Sequence, residues 1–199
     1  MTDRWFPPII DGAVARGWLD AVEARLGAEA LGRPAAAPLV GLAELAGLAA
    51  VASKFLAVGT PRTMGLVGLR DHAPAIVAAQ RAYASPRELR VFDGVAVAAA
   101  RIAEAVGGRV ASLAEACACD IVVARGPVAI RREWVRGGTL VTALDRDVVL
   151  EPALLAAAMI YTVGAAPSGV TVHATLAQVA AGLVDGRVLD EITVLIVGA

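Results

Sequence analysis

Apolar residues recur at helical spacing through the first sixty positions and in short strand-like runs separated by turns after them. Val14, Trp18, Val22 and Leu26, spaced by four with charges between, predict a helix over Asp11–Leu31 that Gly32 and Pro34 end. A second, alanine-rich helix is expected over Ala37–Val58, stopped by Gly59 and Pro61, and Pro7-Pro8 make the first ten residues an extended arm. From Met64 the period changes. An apolar strand (Met64–Val67) ends at Gly68, a charged turn (Leu69–His72) leads into a periodic helix (Ala73–Tyr83), and a strand (Leu89–Phe92) ends in Asp93. The alternation continues with a helix Gly94–Val106, a strand Arg109–Ala111, and a short helix Leu113–Ala116 capped by Ser112. Next come a strand Asp120–Val123, a loop Ala124–Arg132 and a strand Thr139–Ala143. A helix Glu151–Ala157, a strand Met159–Val163, a helix Ala174–Leu183 and a final strand Ile192–Val197 complete the pattern. Strands alternating with helices at this pace predict an α/β fold: a Rossmann-like, doubly wound, mainly parallel sheet with two N-terminal helices.

Composition changes this picture little. The 199 residues suffice for one well-buried core, and much of the 58% hydrophobic content (mean hydropathy +0.68) is alanine. The run Ala37–Val58 has about the length of a membrane span, but Glu44 and Lys54 lie in it, so a buried or subunit-contacting helix is the expectation. A net charge of −1 with interspersed signs argues against nucleic acid as partner. Met1–Pro8 lacks the pattern of a secretory signal, and a cytoplasmic, reduced setting for Cys117 and Cys119 is expected. Two cysteines with no histidine near them do not complete a tetrahedral metal site, so no metal ligands are assigned. Lys54 is the only lysine. Schiff-base chemistry would have to use it, against the plainer reading of a snorkelling surface lysine.

The segment Thr63–Asp93 has the order of a dinucleotide-binding βαβ unit. Asp93 stands 25 positions after Gly68, near the ~20-residue spacing of a ribose-binding carboxylate. Since Gly94 follows, an ordinary turn at the strand end is the rival reading of Asp93.

Four segments in order resemble the ornithine cyclodeaminase/mu-crystallin family. Arg62-Thr-Met-Gly-Leu-Val-Gly68 is similar to that family's "RTLGLIGTG", and Asp120-Ile-Val-Val123 to its "DIVVTAT". Arg132-Glu-Trp-Val-Arg-Gly-Gly-Thr139 with Leu140–Asp147 resembles "GEWLRPGTHVNAVGSD", and Asp190–Val194 resembles "DEITVF". The resemblance covers roughly Arg62 to Val194. It implies a Rossmann-like domain over 61–199 that binds NAD(P), preceded by an arm and helices (1–60) left from a catalytic and dimerisation domain. It also implies chemistry on amino-acid-derived amines and imines: cyclisation with loss of ammonia, imine reduction, or dehydrogenation. The family's catalytic aspartate falls on Asp147.

The departures from the family are specific. Its fingerprint of glycine, any, glycine, any, any, alanine appears here as Gly68-Leu-Arg-Asp-His-Ala73, with Arg70 where the second glycine lets the backbone approach a diphosphate. Asp71 is placed to cap the following helix with a carboxylate, which would repel phosphate, while Arg70 itself offers a phosphate partner. NAD is therefore the candidate cofactor on a degenerate motif, with Gly68, Arg70 and Asp93 as its candidate contacts. The family's substrate-gripping arginine aligns with Glu44, its catalytic lysine has no counterpart, and its phosphate-side loop is replaced by Ala124–Ile130.

Asp147 is the leading candidate acid or base, with a helix-capping acid before Pro152 as its rival reading. Asp145, two residues away, shares its face on an extended segment and makes a possible acid/base couple. His72 is a candidate general acid recruited into the altered turn, and His173 reads as a surface or capping residue. The first expectation is a divergent biosynthetic cyclase or lyase acting on a small molecule, with weakened or lost NAD binding. A scaffold or partner subunit that keeps the fold, and an NAD(P)-dependent imine reductase or dehydrogenase, are the alternatives. A homodimer or a complex with a partner subunit is expected, with the Ala37–Val58 helix at the contact, and no membrane association.

Overall fold

A computed structural model describes residues 10–34, 41–165, 167–186 and 189–198. The arm expected over the first ten residues, Ile10 excepted, falls outside these, as do the first residues of the expected second helix.

Two helices precede the sheet, α1 (Gly12–Ala30) and α2 (Leu42–Leu56). Asp11 caps α1 by accepting the Ala13 N–H at 2.7 Å. The buried stripe of α1 is Ala15, Leu19, Val22 and Leu26, whereas Val14 is 51% exposed. A strict spacing of four drifts around a 3.6-residue helix, so the stripe takes steps of four and three, and the Val14–Trp18 half of the expected face lies off it. In α2 the run Ala46–Ser53 is buried continuously, within the core cluster that α1, α3 (Ala73–Tyr83) and the sheet also build. Of the two readings of this alanine-rich helix, buried or subunit-contacting, this packing bears out the first: among the described residues the small side chains of Ala46–Ser53 are spent inside the chain.

The main sheet has eight strands, all paired in parallel, in the order β3-β2-β1-β4-β6-β10-β8-β9. They are β1 (Thr63–Val67), β2 (Glu88–Phe92), β3 (Arg109–Val110), β4 (Ile121–Ala124), β6 (Leu140–Ala143), β8 (Ala158–Val163), β9 (Ala174–Thr175) and β10 (Ile192–Val197). This is the doubly wound α/β fold that the alternation predicts. One face carries α1, α2, α3, α4 (Ala96–Val106) and α7 (Leu176–Ala180); the other carries α5 (Leu113–Cys117), α6 (Pro152–Ala156) and a separate parallel pair, β5 (Val128–Ile130) with β7 (Val148–Leu150). The strands alternate between the layers: Met64 and Leu66 face the α1–α3 core, while Val67 packs in the second.

Strand β1 is the pivot. A side chain at Gly65 would place its Cβ 2.0 Å from the Ala116 carbonyl oxygen, so only glycine lets α5 lie this close to the strand. The amino ends of β1 and β4 lock reciprocally. Asp120 accepts the Arg62 and Thr63 N–H groups at 2.8 and 2.9 Å, and its own N–H donates to Thr63 Oγ1 at 2.9 Å. Burial opposes ionisation of Asp120, but those donors outweigh it and hold its pKa below the usual value.

The expected loop after β4 contains β5, and β7 follows Asp147. Strands of three residues are too short to show alternation in sequence, and these two exist only through pairing with each other. The helix expected over Ala174–Leu183 is shorter, because Thr175 caps α7 in a reciprocal box with Gln178.

Charges in the helical layer are paired. Arg25 of α1 bonds Glu44 of α2, their side chains 15% and 18% exposed, and Lys54 reaches Glu23 at 2.6 Å. Replacing Arg25 by Met strands the Glu44 carboxylate between two helices and is expected to cost about 3 kcal/mol. Adding Glu44→Leu should recover most of it, read by urea unfolding; a double variant no more stable than the single one would show that the pair is not the cause.

Candidate functional site

The chain runs from β1 outward to β2 and β3, then returns to β4 on the opposite side of β1. Strand order therefore reverses between β1 and β4, and a crevice opens there at the carboxyl ends of the strands, where α/β sheets bind ligands. The cleft has a volume of about 580 Å³. Its walls come from the ends of β1 and β2, the segment after β4 and the turn after β6.

Gly68 ends β1 with φ +64°, and its N–H donates to the Phe92 carbonyl at 2.9 Å. A Cβ there would meet the Arg125 carbonyl oxygen at 2.3 Å, so the first fingerprint glycine is required by the backbone that passes beside it. Arg70 also lines the cleft. It keeps the left-handed conformation of the glycine it replaces, with φ +48°. A one-turn 3-10 segment, Arg70–His72, then leads into α3 with no side-chain cap on either. The cap expected from Asp71 is not made: its carboxylate turns instead to Arg101 of α4 at 3.6 Å. The tight turn lifts Asp71 off the N-cap position, and a cation on the neighbouring helix takes it.

Asp93 follows β2 and is 9% exposed. One carboxylate oxygen accepts the Val95 N–H at 2.9 Å, closing the strand-end turn. The other, Oδ2, is buried and has no partner among the described residues. The turn reading of this residue is realised on one oxygen, and the other is left available to a ligand.

The opposite wall is built around Arg125 and its neighbours. Arg125, just beyond β4, lies 3.0 and 3.1 Å from the ring nitrogens of His72 and 3.3 Å from Asp145. Asp145 accepts the Gly126 N–H at 3.1 Å and the Asp147 N–H at 3.2 Å. Asp145 is accordingly an anchor for two loops, and the couple foreseen between Asp145 and Asp147 takes the form of a carboxylate holding the other residue's backbone. Asp147 itself presents an exposed side chain at the cleft. Burial, then the Arg125 charge, lowers the His72 pKa, which keeps the imidazole neutral as an acceptor for Arg125. His72 does not line the cleft.

The structure thus brings Gly68, Arg70, Asp93, Asp145 and Asp147 to one crevice, with His72 behind it. Sequence reading missed Arg125, Arg131 and Trp134, which also line it. Arg131 stacks over the Trp134 ring at 5.2 Å. For Arg125, the position directly after β4 on the carboxyl side of the sheet was the available signal. Glu44 and Lys54 belong to the helical layer, far from this role. His173 sits edge-on to Tyr161, with ring centroids 5.5 Å apart, at a separate hollow beside β8. Cys117 and Cys119 are free and buried, and desolvation pushes their thiols up to about 12 and about 11. Among the described residues, no group of three His, Cys, Asp or Glu side chains is placed to hold a metal ion, and no helix is long and apolar enough to cross a membrane.

No family model matches the sequence, and no curated protein matches it by sequence comparison. Solved structures do match in fold. An archaeal alanine dehydrogenase dimer with bound NAD superposes with a TM-score of 0.81 at 20% identity, over 96% of this chain and 87% of that one. A lysine cyclodeaminase that recognises L-lysine, L-ornithine and L-2,4-diaminobutyric acid gives 0.79 at 15% identity, over 96% and 83%. The Thermococcus litoralis Δ1-pyrroline-2-carboxylate reductase, solved with NADH and L-proline, gives 0.68 at 20% identity, and there the match covers 79% of this chain and only 59% of the reductase. With its parallel sheet, its switch-point cleft and these neighbours, the chain has the ornithine cyclodeaminase/mu-crystallin-type fold.

Proposed function

We propose that this chain is a divergent ornithine cyclodeaminase-like enzyme of amino-acid metabolism that holds a nicotinamide dinucleotide in the switch-point cleft and acts on an amino-acid-derived amine or imine. The observation that carries the reading is the orphaned oxygen of Asp93. A buried carboxylate oxygen without a donor costs about 1–3 kcal/mol, and at the end of β2 a ribose hydroxyl is the donor that relieves it. Gly68, whose Cβ position is filled by the Arg125 carbonyl, supplies the tight turn that the same ligand needs. The neighbours that carry NAD or NADH support this reading over the weakened binding that the altered fingerprint raises as an expectation.

The nicotinamide, when bound, supplies hydride transfer. The chain's own contribution is proton handling by Asp147, whose carboxylate at the cleft takes a proton from an amine or a water and returns it. Asp145 and Arg125 position it by fixing the Asp147 backbone and the facing loop. A cyclase or lyase reaction and an imine reduction both use that proton step. Calorimetric titration should show NAD and NADH binding more tightly than NADP, because a carboxylate at Asp93 repels a 2′-phosphate. Asp93→Asn keeps the turn and should weaken NAD about 10-fold. Equal affinity for NAD and NADP, or no heat with any of them, removes the reading. Asp147→Asn should lower amino-acid-dependent NAD reduction or ammonia release about 100-fold or more with NAD binding unchanged; undiminished turnover withdraws Asp147 from the mechanism.

A second reading concerns the missing half of the pocket. Among the described residues, those lining the cleft lie between positions 68 and 147, and the N-terminal Glu44 and Lys54 are committed to Arg25 and Glu23. In this reading a second copy or a partner subunit adds to the cleft arginines Arg70, Arg125 and Arg131 a further grip on the substrate carboxylate. Sedimentation of the purified chain should show a dimer at assay concentrations, and full turnover by a strict monomer would exclude the requirement.

A further inference from the structure

Resting on the nucleotide reading above, we infer that Arg70 is the diphosphate ligand of the cleft: its guanidinium takes over the contact that the second fingerprint glycine would leave to the backbone. Three observations lead to it. Arg70 holds φ +48°, a conformation that residues other than glycine adopt rarely and at a cost, so the turn keeps the shape of a diphosphate-binding turn while carrying a side chain. Arg70 lines the cleft, is exposed, and among the described residues its side chain has neither an ion pair nor a hydrogen bond. Its nearest charges in the turn and the facing loops are engaged, Asp71 with Arg101, His72 and Asp145 with Arg125, and Arg131 with Glu133 at 3.5 Å, while Asp93 Oδ2 and the exposed Asp147 share the cleft with it.

The same arrangement removes the main objection to an anion here. A carboxylate capping α3 would repel phosphate, but Asp71 is drawn to α4, and no side chain caps the 3-10 turn or the eleven-residue helix behind it. The His72 and Ala73 N–H groups are taken by the Leu69 and Arg70 carbonyls and Pro74 has none, so the contact to the anion falls to the Arg70 guanidinium, a fork that matches phosphate oxygens in bidentate geometry. At the other end of the cleft the unpartnered oxygen of Asp93 takes the sugar. The ligand class is a nucleoside diphosphate or its ester, and the consequence is a mode of binding that depends on a side-chain charge and therefore on salt.

Calorimetry with adenosine, ADP and NAD, on the wild-type chain and on Arg70→Gly, separates the possibilities. Glycine restores the ordinary fingerprint and relieves the left-handed arginine, so the variant's Tm should stand at or about 2–4 °C above wild type, which also shows that it folds. If Arg70 is the diphosphate ligand, ADP and NAD bind the variant about 10- to 100-fold more weakly, adenosine is unaffected, and the salt dependence of ADP binding flattens. An Arg70→Gly variant that binds ADP or NAD as tightly as wild type, or more tightly, overturns the inference and makes Arg70 an obstruction, while the nucleotide reading stands. ADP binding no tighter than adenosine to the wild type overturns it in the same way. Failure of all three ligands to bind the wild-type chain overturns both.

Discussion

The close passage of β1 past its neighbours on the second face governs this structure. At Gly65 the strand has no room for a Cβ beneath the Ala116 carbonyl, and at Gly68 none beside the Arg125 carbonyl. The first approach seats α5 on the sheet; the second brings the segment after β4 to the edge of the fingerprint turn. Reversal of strand order at β1 then produces a crevice, and the carbonyl beside Gly68 sets how narrow its base is. Asp120 reinforces the arrangement from the other end by tying the start of β4 to the start of β1. The cleft is a consequence of packing before it is a matter of ligand chemistry.

Charge pairing then sorts the ionisable residues by role. Arg25 with Glu44 and Lys54 with Glu23 hold two helices together, and Arg125 with Asp145 holds two loops. Desolvation and low dielectric make such pairs costly to break once formed, so their members are poor candidates for chemistry that changes charge. What remains at the cleft is a short set: an aspartate with one oxygen unpartnered, an exposed aspartate, and an arginine with no partner among the described residues. The functional reading follows from this remainder more than from the count of residues that match a motif.

Elements with long, regular patterns were legible from the chain. The helix Ala73–Tyr83 and the strand Ile192–Val197 fall where the periodicity places them, and the capping signals at Ser112 and the glycine pair at Gly107 bound their elements as read. Of the cleft, the turn glycine Gly68, Arg70, Asp93 and Asp147 were legible because strand ends are recognisable and ligands gather there. The buried stripe of α1 was read one position off at its start, since spacing alone does not say which of two overlapping faces meets a partner helix. The partners of Asp71 and Asp145 were not legible for a related reason: Arg101 and Arg125 are distant in sequence and meet them only through contacts between separate segments.

The sequence by itself determined the order of strands and helices, the Rossmann-like class and the residues at the strand ends, because these depend on local periodicity, turn chemistry and chain order. Only the tertiary structure decided which charges are spent and which are left over. Ion pairs and buried donors are set by distances between segments tens of residues apart, and no local pattern encodes them. That is why the arginine in the fingerprint reads as damage along the chain, and as a cation without a partner among the described residues, in a left-handed turn, once the fold surrounds it.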